Sequence, residues 1–327
     1  MQGIPKAFIL FTFILSGLML FLSGLSCRPD PSLSRPDDTV DADTVYYRDL
    51  VYFISDENEP RTIVVIELGR EKKGSNLNGE FWGCILRDGD WNKLDKSGKY
   101  RLLASNPAIP EGPPGVDVRG YGKRLEIDYS GEEHLFNLKT GGFSDVYRST
   151  DNDDLREIYA FTDGRLRIND TKIDGRVGYV YLRWIGCTPI SDRYNGRFTD
   201  FQRFILFGKD VFIMARDNHT DMVSFATAYG LNSTPKTLDA YVKARRSKKG
   251  FDNFKILVTN RTYDLALFRI PYGWEIELDD QNTIILAGQG YYLDNKIITG
   301  RAIIEVTGAL NSKGRDYELY GICEFIK

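Results

Sequence analysis

From Tyr46 onward the apolar residues recur with a period of two, and short turn signals interrupt the runs. That pattern confines the chain to β-structure, because a helix needs a period near 3.6. Trp274, Ile276 and Leu278 share one face, opposite Glu275, Glu277 and Asp279. Leu125, Ile127 and Tyr129 alternate with Glu126 and Asp128. Tyr317, Leu319, Gly321, Cys323 and Phe325 lie opposite Glu318, Tyr320, Ile322 and Glu324. Asp163-Gly164, Asp174-Gly175, Gly208-Lys209 and Asn260-Arg261 stand beside such runs and read as hairpin turns. Hairpin-linked short strands predict antiparallel sheets closed, or nearly closed, into barrels. Counting gives roughly 16 to 18 strands, and a barrel that holds one small ligand needs about 8. The expectation is an all-β chain with two consecutive antiparallel barrels over 46–190 and 191–327, divided near Cys187 to Ser191. Aromatic residues make up 13% of the chain, with 19 Tyr and 19 Phe, and flat rings pack well on a pleated surface.

The segment before Tyr46 is different. Lys6 precedes an apolar run from Ala7 to Leu22, then come Ser23, Gly24, Ser26 and Cys27. This layout reads as a bacterial lipoprotein signal peptide over 1–26, with Cys27 acylated as the first mature residue. An uncleaved anchor helix over Ala7 to Leu25 and a plain secretory signal are the alternatives. All three put the rest of the chain outside the cytoplasm, in the cell envelope. Arg28 to Thr44 holds Pro29, Pro31, Pro36, Asp37, Asp38, Asp41 and Asp43, with almost no apolar residues. Residues 27–45 therefore read as the acylated Cys and a disordered tether. Among Cys84, Cys187 and Cys323, two can pair in an oxidising compartment, or all three are small core residues.

Charge and residue usage exclude several functions. A net charge of −3 leaves no electrostatic footprint for nucleic acid. Two histidines, His134 and His219, limit metal sites and Ser-His triads. Gly288-Gln289-Gly290 lacks the strand-loop-helix context of a phosphate loop. No metal and no cofactor is expected. Ala104 to Gly122, rich in Pro and Gly, reads as a long loop that is either a lid or a surface connection. Leu238 to Lys249 reads as a short basic helix or a solvated loop.

Three stretches resemble a known family. They are Asp192-Arg193-Tyr194-Asn195-Gly196 with Thr199 to Phe204, the run Gly208 to Asp217, and the closing segments Pro271 to Leu278, Gly300 to Gly308 and Tyr320 to Phe325. Together they resemble the carotenoid 1,2-hydratase-like (hydroxyneurosporene synthase-like) group of tandem lipocalin-like β-barrel proteins. Arg193 stands where the family has His, and Phe201 where it has Trp. The resemblance therefore implies two lipocalin-like barrels more firmly than it implies hydratase chemistry.

Alkene hydration needs an acid to protonate carbon and a base to direct water. A carboxyl buried in an apolar barrel stays protonated and can serve as the acid. Asp192 and Asp200 are candidates by resemblance. Glu305 and Glu324 are candidates because each interrupts an apolar strand, although period two also allows both to face solvent. His219 beside Asp217 reads as a general base or as a polar turn. Trp184, Phe201 and Tyr320 are the aromatic residues expected to line a ligand.

Three functions follow. The first is a lipid-anchored binding protein for an apolar small molecule or lipid near the membrane. The second is a hydratase or isomerase acting on a polyene or isoprenoid. The third is a surface interaction lipoprotein whose barrels are filled.

Overall fold

The computed structural model describes residues 40 and 42–326, except 57–59, 104–105, 121–123, 144, 152–154, 187–200, 210, 219–237, 245–246, 252–253, 264–268 and 297–298. The described secondary structure is entirely β. The first sheet contains β1 (Thr44–Ser55), β2 (Ile63–Lys73), β3 (Asn76–Arg87), β4 (Asp90–Lys93), β5 (Gly98–Arg101), β6 (Val116–Arg119), β7 (Glu126–Ser130), β8 (Leu135–Thr140), β9 (Asp145–Asp151), β10 (Leu155–Ile168) and β11 (Thr171–Ile185). Its order is β4-β3-β2-β1-β11-β10-β8-β7-β6, with β5 paired to β3 and β9 to β10. The second contains β12 (Phe201–Gly208), β13 (Val211–Asn218), β14 (Leu238–Ala244), β15 (Ser247–Phe251), β16 (Lys255–Tyr263), β17 (Arg269–Asp279), β18 (Asn282–Lys296), β19 (Thr299–Ser312) and β20 (Arg315–Ile326). Its order is β15-β14-β13-β12-β20-β19-β18-β17-β16.

Both sheets curl back on themselves. In the first, the rings of Phe81 on β3 and Tyr129 on β7 lie 6.1 Å apart, although the two strands sit at opposite ends of the sheet. In the second, Phe204 on β12 meets Trp274 on β17 edge-on at 5.5 Å. Such contacts across a sheet require a barrel-like interior. The edge strands of each sheet are not paired to one another among the described residues, so each barrel is open along one seam.

Three of the predicted turns lie inside strands. β10 and β11 run straight through Asp163-Gly164 and Asp174-Gly175, where Gly164 pairs with Gly175. A Cβ on Gly175 would overlap the Ile54 carbonyl oxygen, so glycine is there for close approach and not for a turn. The hairpin turn is Asn169-Asp170, between the paired Ile168 and Thr171, with Asn169 at φ 52°. β16 likewise passes through Asn260-Arg261 at a bulge. Gly208-Lys209 does lie at a hairpin, since Gly208 pairs with Val211. The described part of Leu238 to Lys249 forms β14 and the start of β15 and is strand, not helix or loop; Tyr241, Val242 and other strand formers outweigh its basic residues.

The two sheets pack face to face. One apolar cluster joins Leu50, Tyr52, Val65 and Val180 of the first to Ile205, Phe207, Met214, Ile303 and Ile322 of the second. As a result β1 is buried on both faces.

Candidate functional site

The face between the sheets is not wholly apolar. Four arginines and three glutamates meet there, nearly excluded from water. The register puts Arg203, Glu324 and Arg301 on the side of the second sheet that faces the first. Arg48 and Glu67 do the same from β1 and β2. Arg48 pairs with Glu67 at 2.7 Å, and Arg301 bridges Glu67 and Glu324 at 2.5 Å each. Arg203 donates to Glu324 (2.9 Å), to the Tyr52 hydroxyl (3.2 Å) and to Glu157 (3.4 Å). Arg216 and the Tyr159 hydroxyl complete Glu157 at 2.6 and 2.9 Å. Beside this network the Arg301 guanidinium lies 3.6 Å from the centre of the Trp82 ring, and Trp82 donates to Asp294 at 2.7 Å.

Glu324 is therefore buried, as a candidate acid should be, but its environment is the reverse of the expected one. Burial alone would push its pKa up; Arg301, Arg203 and Arg48 outweigh that and hold it down at about 2. It is a fixed anion tying two sheets together, not a neutral acid in an apolar chamber. Glu305 lies on the same face at the rim, 3.9 Å from Arg61. Tyr320 is half-buried at that rim, under the Arg61 guanidinium and donating to Asp56 at 2.8 Å. Trp184 packs on Tyr46 and Leu182 near one end of the intersheet face. Trp184, Tyr320 and Glu324 are thus separate features of one face and do not converge on a single chamber. Asp192, Asp200, His219, Cys187 and Cys27 lie outside the described residues. Phe201 opens β12, and its side chain also lies outside them. Cys84 and Cys323 are free, buried thiols in different clusters, Cys84 between the sheets and Cys323 inside the second barrel.

The two interiors differ in chemistry. The second is packed with Phe204, Trp274, Ile276, Leu286, Val306, Phe325 and their neighbours. Its described polar contact is the Trp274 indole N–H on the Gln202 side chain at 3.1 Å. The first interior carries a buried polar cluster that sequence reasoning missed. Directly paired antiparallel residues share a face, so Tyr47, Asp49, Val51 and Phe53 of β1 look inward with Arg70 and Leu68 of β2 and with Arg183, Tyr181 and Tyr179 of β11. Asp49 accepts hydrogen bonds from Arg70 and from the Tyr179 hydroxyl. Tyr179 stacks on Phe143 at 4.9 Å. Asp49 and Arg70 are essentially inaccessible to water, and burial pulls the Arg70 pKa down. The signal was present in sequence as a carboxylate and a guanidinium, each on a strand otherwise destined for burial. Among the described residues no group of three or more His, Cys, Asp or Glu side chains is placed to hold a metal ion.

Fold and interior together define two consecutive lipocalin-like barrels, the second with an apolar core and the first with a polar cluster inside. No family model matches the chain, and no curated protein matches it in sequence. Solved structures match the fold. Kievitone hydratase from Nectria haematococca superposes with a TM-score of 0.58 at 11% identity, over 92% of this chain and 94% of that one. A Nitrosomonas europaea protein assigned as an ATTH gives 0.59 at 9% identity, over 91% and 98%. CghA, solved with Sch210972, gives 0.52 at 9% identity, over 87% and 88%. At these identities the likeness is one of fold.

Proposed function

We propose that this chain is an exported, lipid-anchored, lipocalin-like protein that binds an apolar small molecule or lipid inside its first barrel, close to a membrane. The observation that carries the proposal is the contrast between the interiors. A barrel that needs only stability fills with apolar side chains, as the described residues of the second do. Burying Asp49 and Arg70 in the first costs desolvation that an apolar pair would avoid, so their retention fits recognition of a ligand. An acylated Cys27 and a tether ending where β1 begins, at Thr44, would hold that barrel near a lipid surface.

The test is native mass spectrometry of the full chain extracted from membranes, followed by titration of the delipidated protein with a fluorescent fatty acid. A co-purified lipid and saturable uptake are expected. Finding neither would overturn the proposal. Intact-mass analysis of the chain and its Cys27→Ala variant tests the anchor separately.

A second reading, a hydratase or isomerase acting on a polyene or isoprenoid, keeps one supporting observation. The Tyr179 hydroxyl and Asp49 carboxylate are hydrogen-bonded within the same interior, an acid and a base within reach of one bound molecule. The fold shared with kievitone hydratase and the resemblance to the carotenoid 1,2-hydratase-like group are compatible with it. Incorporation of heavy oxygen from labelled water into such a substrate would establish it. Loss of that incorporation in Tyr179→Phe would place the chemistry here.

A further inference from the structure

We infer that the first barrel takes an amphiphile with an anionic head, and that Arg70 is the residue that receives the head. This rests on the proposed ligand-binding function and specifies its substrate class.

The register divides the inward face into successive rungs. Arg70, Tyr47, Arg183 and Arg156 form one rung across β2, β1, β11 and β10. The next holds Asp49 and Tyr181, and the one after holds Val51, Tyr179 and Ala160. Beyond them Val64, Phe53 and Val177 are apolar, and the rung ends on β10 at Thr162, whose hydroxyl donates to the Gly142 carbonyl. Rungs follow at about 7 Å, two residues of strand rise. The interior is therefore graded, cationic at the end where β1 begins and hydrocarbon-like further in.

At the cationic end Arg70 is incompletely satisfied. Its Nη2 donates to Asp49, but its Nε and Nη1 have no hydrogen-bond partner among the described residues, although the side chain is fully buried. Buried guanidinium donors without acceptors are costly, and natural proteins seldom keep them without a ligand or solvent to accept. The surroundings hold the group in place. Asp49 fixes one side, and Tyr179 braces Asp49. Opposite Arg70 on β3 is Gly79, and a Cβ there would overlap the Tyr100 ring, so glycine admits that ring beside the guanidinium. The Tyr100 hydroxyl in turn donates to the Glu111 carbonyl. This anchors the Pro-rich loop after β5 near the same end.

An anion fits these open donors where a neutral or cationic head does not. A carboxylate or a phosphate monoester supplies several acceptor oxygens to a group that has only donors. The rungs beyond then receive a hydrocarbon tail.

The experiment compares palmitate, hexadecyl phosphate and 1-hexadecanol binding to the delipidated full chain, each competing with a fluorescent neutral probe. We expect the two anions to bind roughly ten- to hundredfold more tightly than the alcohol, the range that charge-assisted hydrogen bonds supply. Whichever anion binds more tightly identifies the source of the head. Asp49→Asn/Arg70→Met removes both members of the pair and so avoids leaving one charge buried alone. It should bring all three ligands to within about twofold, a head-group effect of under half a kcal/mol. Equal affinities in the wild type, or a preference that survives in the double variant, would overturn the inference while leaving the binding function standing. Failure of all three to bind the wild type would overturn the binding function and the inference with it.

Discussion

Replacing Glu324 with Gln probes how the two barrels are held together. The carboxylate is fully buried and faces Arg301 at 2.5 Å, Arg203 at 2.9 Å, Arg48 at 3.9 Å and the Tyr52 hydroxyl at 2.6 Å. Gln keeps the volume and removes the charge, leaving buried arginines short of an anion. Removing one partner of a buried pair costs about 3–5 kcal/mol. The depressed pKa expresses the same contacts as a pH dependence. A fall from 4.5 to about 2 corresponds to about 3 kcal/mol of stability at neutral pH. The folded pKa lies below the unfolded one, so this contribution is complete above about pH 4.5 and is lost as pH falls towards 2. Urea denaturation followed by tryptophan fluorescence measures both effects. At pH 7 Glu324→Gln should lose several kcal/mol, and between pH 4.5 and 2 its stability should fall less steeply than that of the wild type. Glu318→Gln, exposed on the same strand, should stay within about 0.5 kcal/mol. If Glu324→Gln loses under 1 kcal/mol at pH 7, or its acid slope matches the wild type, the network does not bind the sheets as argued.

Three further outcomes are expected. Cys84 and Cys323, whose thiol pKa values burial raises, should not react with a thiol reagent in the native protein and should both react in denaturant. Gly321→Ala would drive a Cβ into the Ile205 carbonyl of the paired strand, so it should cost about 1–3 kcal/mol by thermal melting. Gly98→Ala, which meets nothing within 4 Å, should cost far less. Trp274→Phe would strand the buried Gln202 side chain and lower stability by about 1–3 kcal/mol in urea titrations.

The sequence showed the fold class clearly and the site poorly, for one physical reason. Period two is local, so Trp274, Ile276 and Leu278 betray their inward face without any partner. Turn chemistry is less decisive. Asp163-Gly164 and Asp174-Gly175 look like turns, but Gly175 serves the approach of Ile54 and Phe53 on β1 and Gly164 that of Val177 on β11, contacts no local window contains. Glu324 was visible as a carboxylate on an apolar strand. The arginines that reverse its pKa come from β1, β12 and β19, and nothing nearby in sequence announces them. Asp49 and Arg70 escaped for the opposite reason. Each resembles a solvent-side residue of an alternating strand until β1 proves to be covered on both sides.

That double covering also governs the order of assembly. A chain made from its N-terminus presents β1 first, yet β1 pairs with β11, and its other face waits for β12 and β20. Phe201 itself pairs with Ile326. Until β20 has emerged, Arg48 has no Glu324 and Tyr52 has no acceptor. The second sheet therefore cannot dock on the first in stages, and such long-range closure is intrinsically slow. Throughout that delay an adhesive, half-charged face stays open, the kind of surface that a holdase chaperone grips.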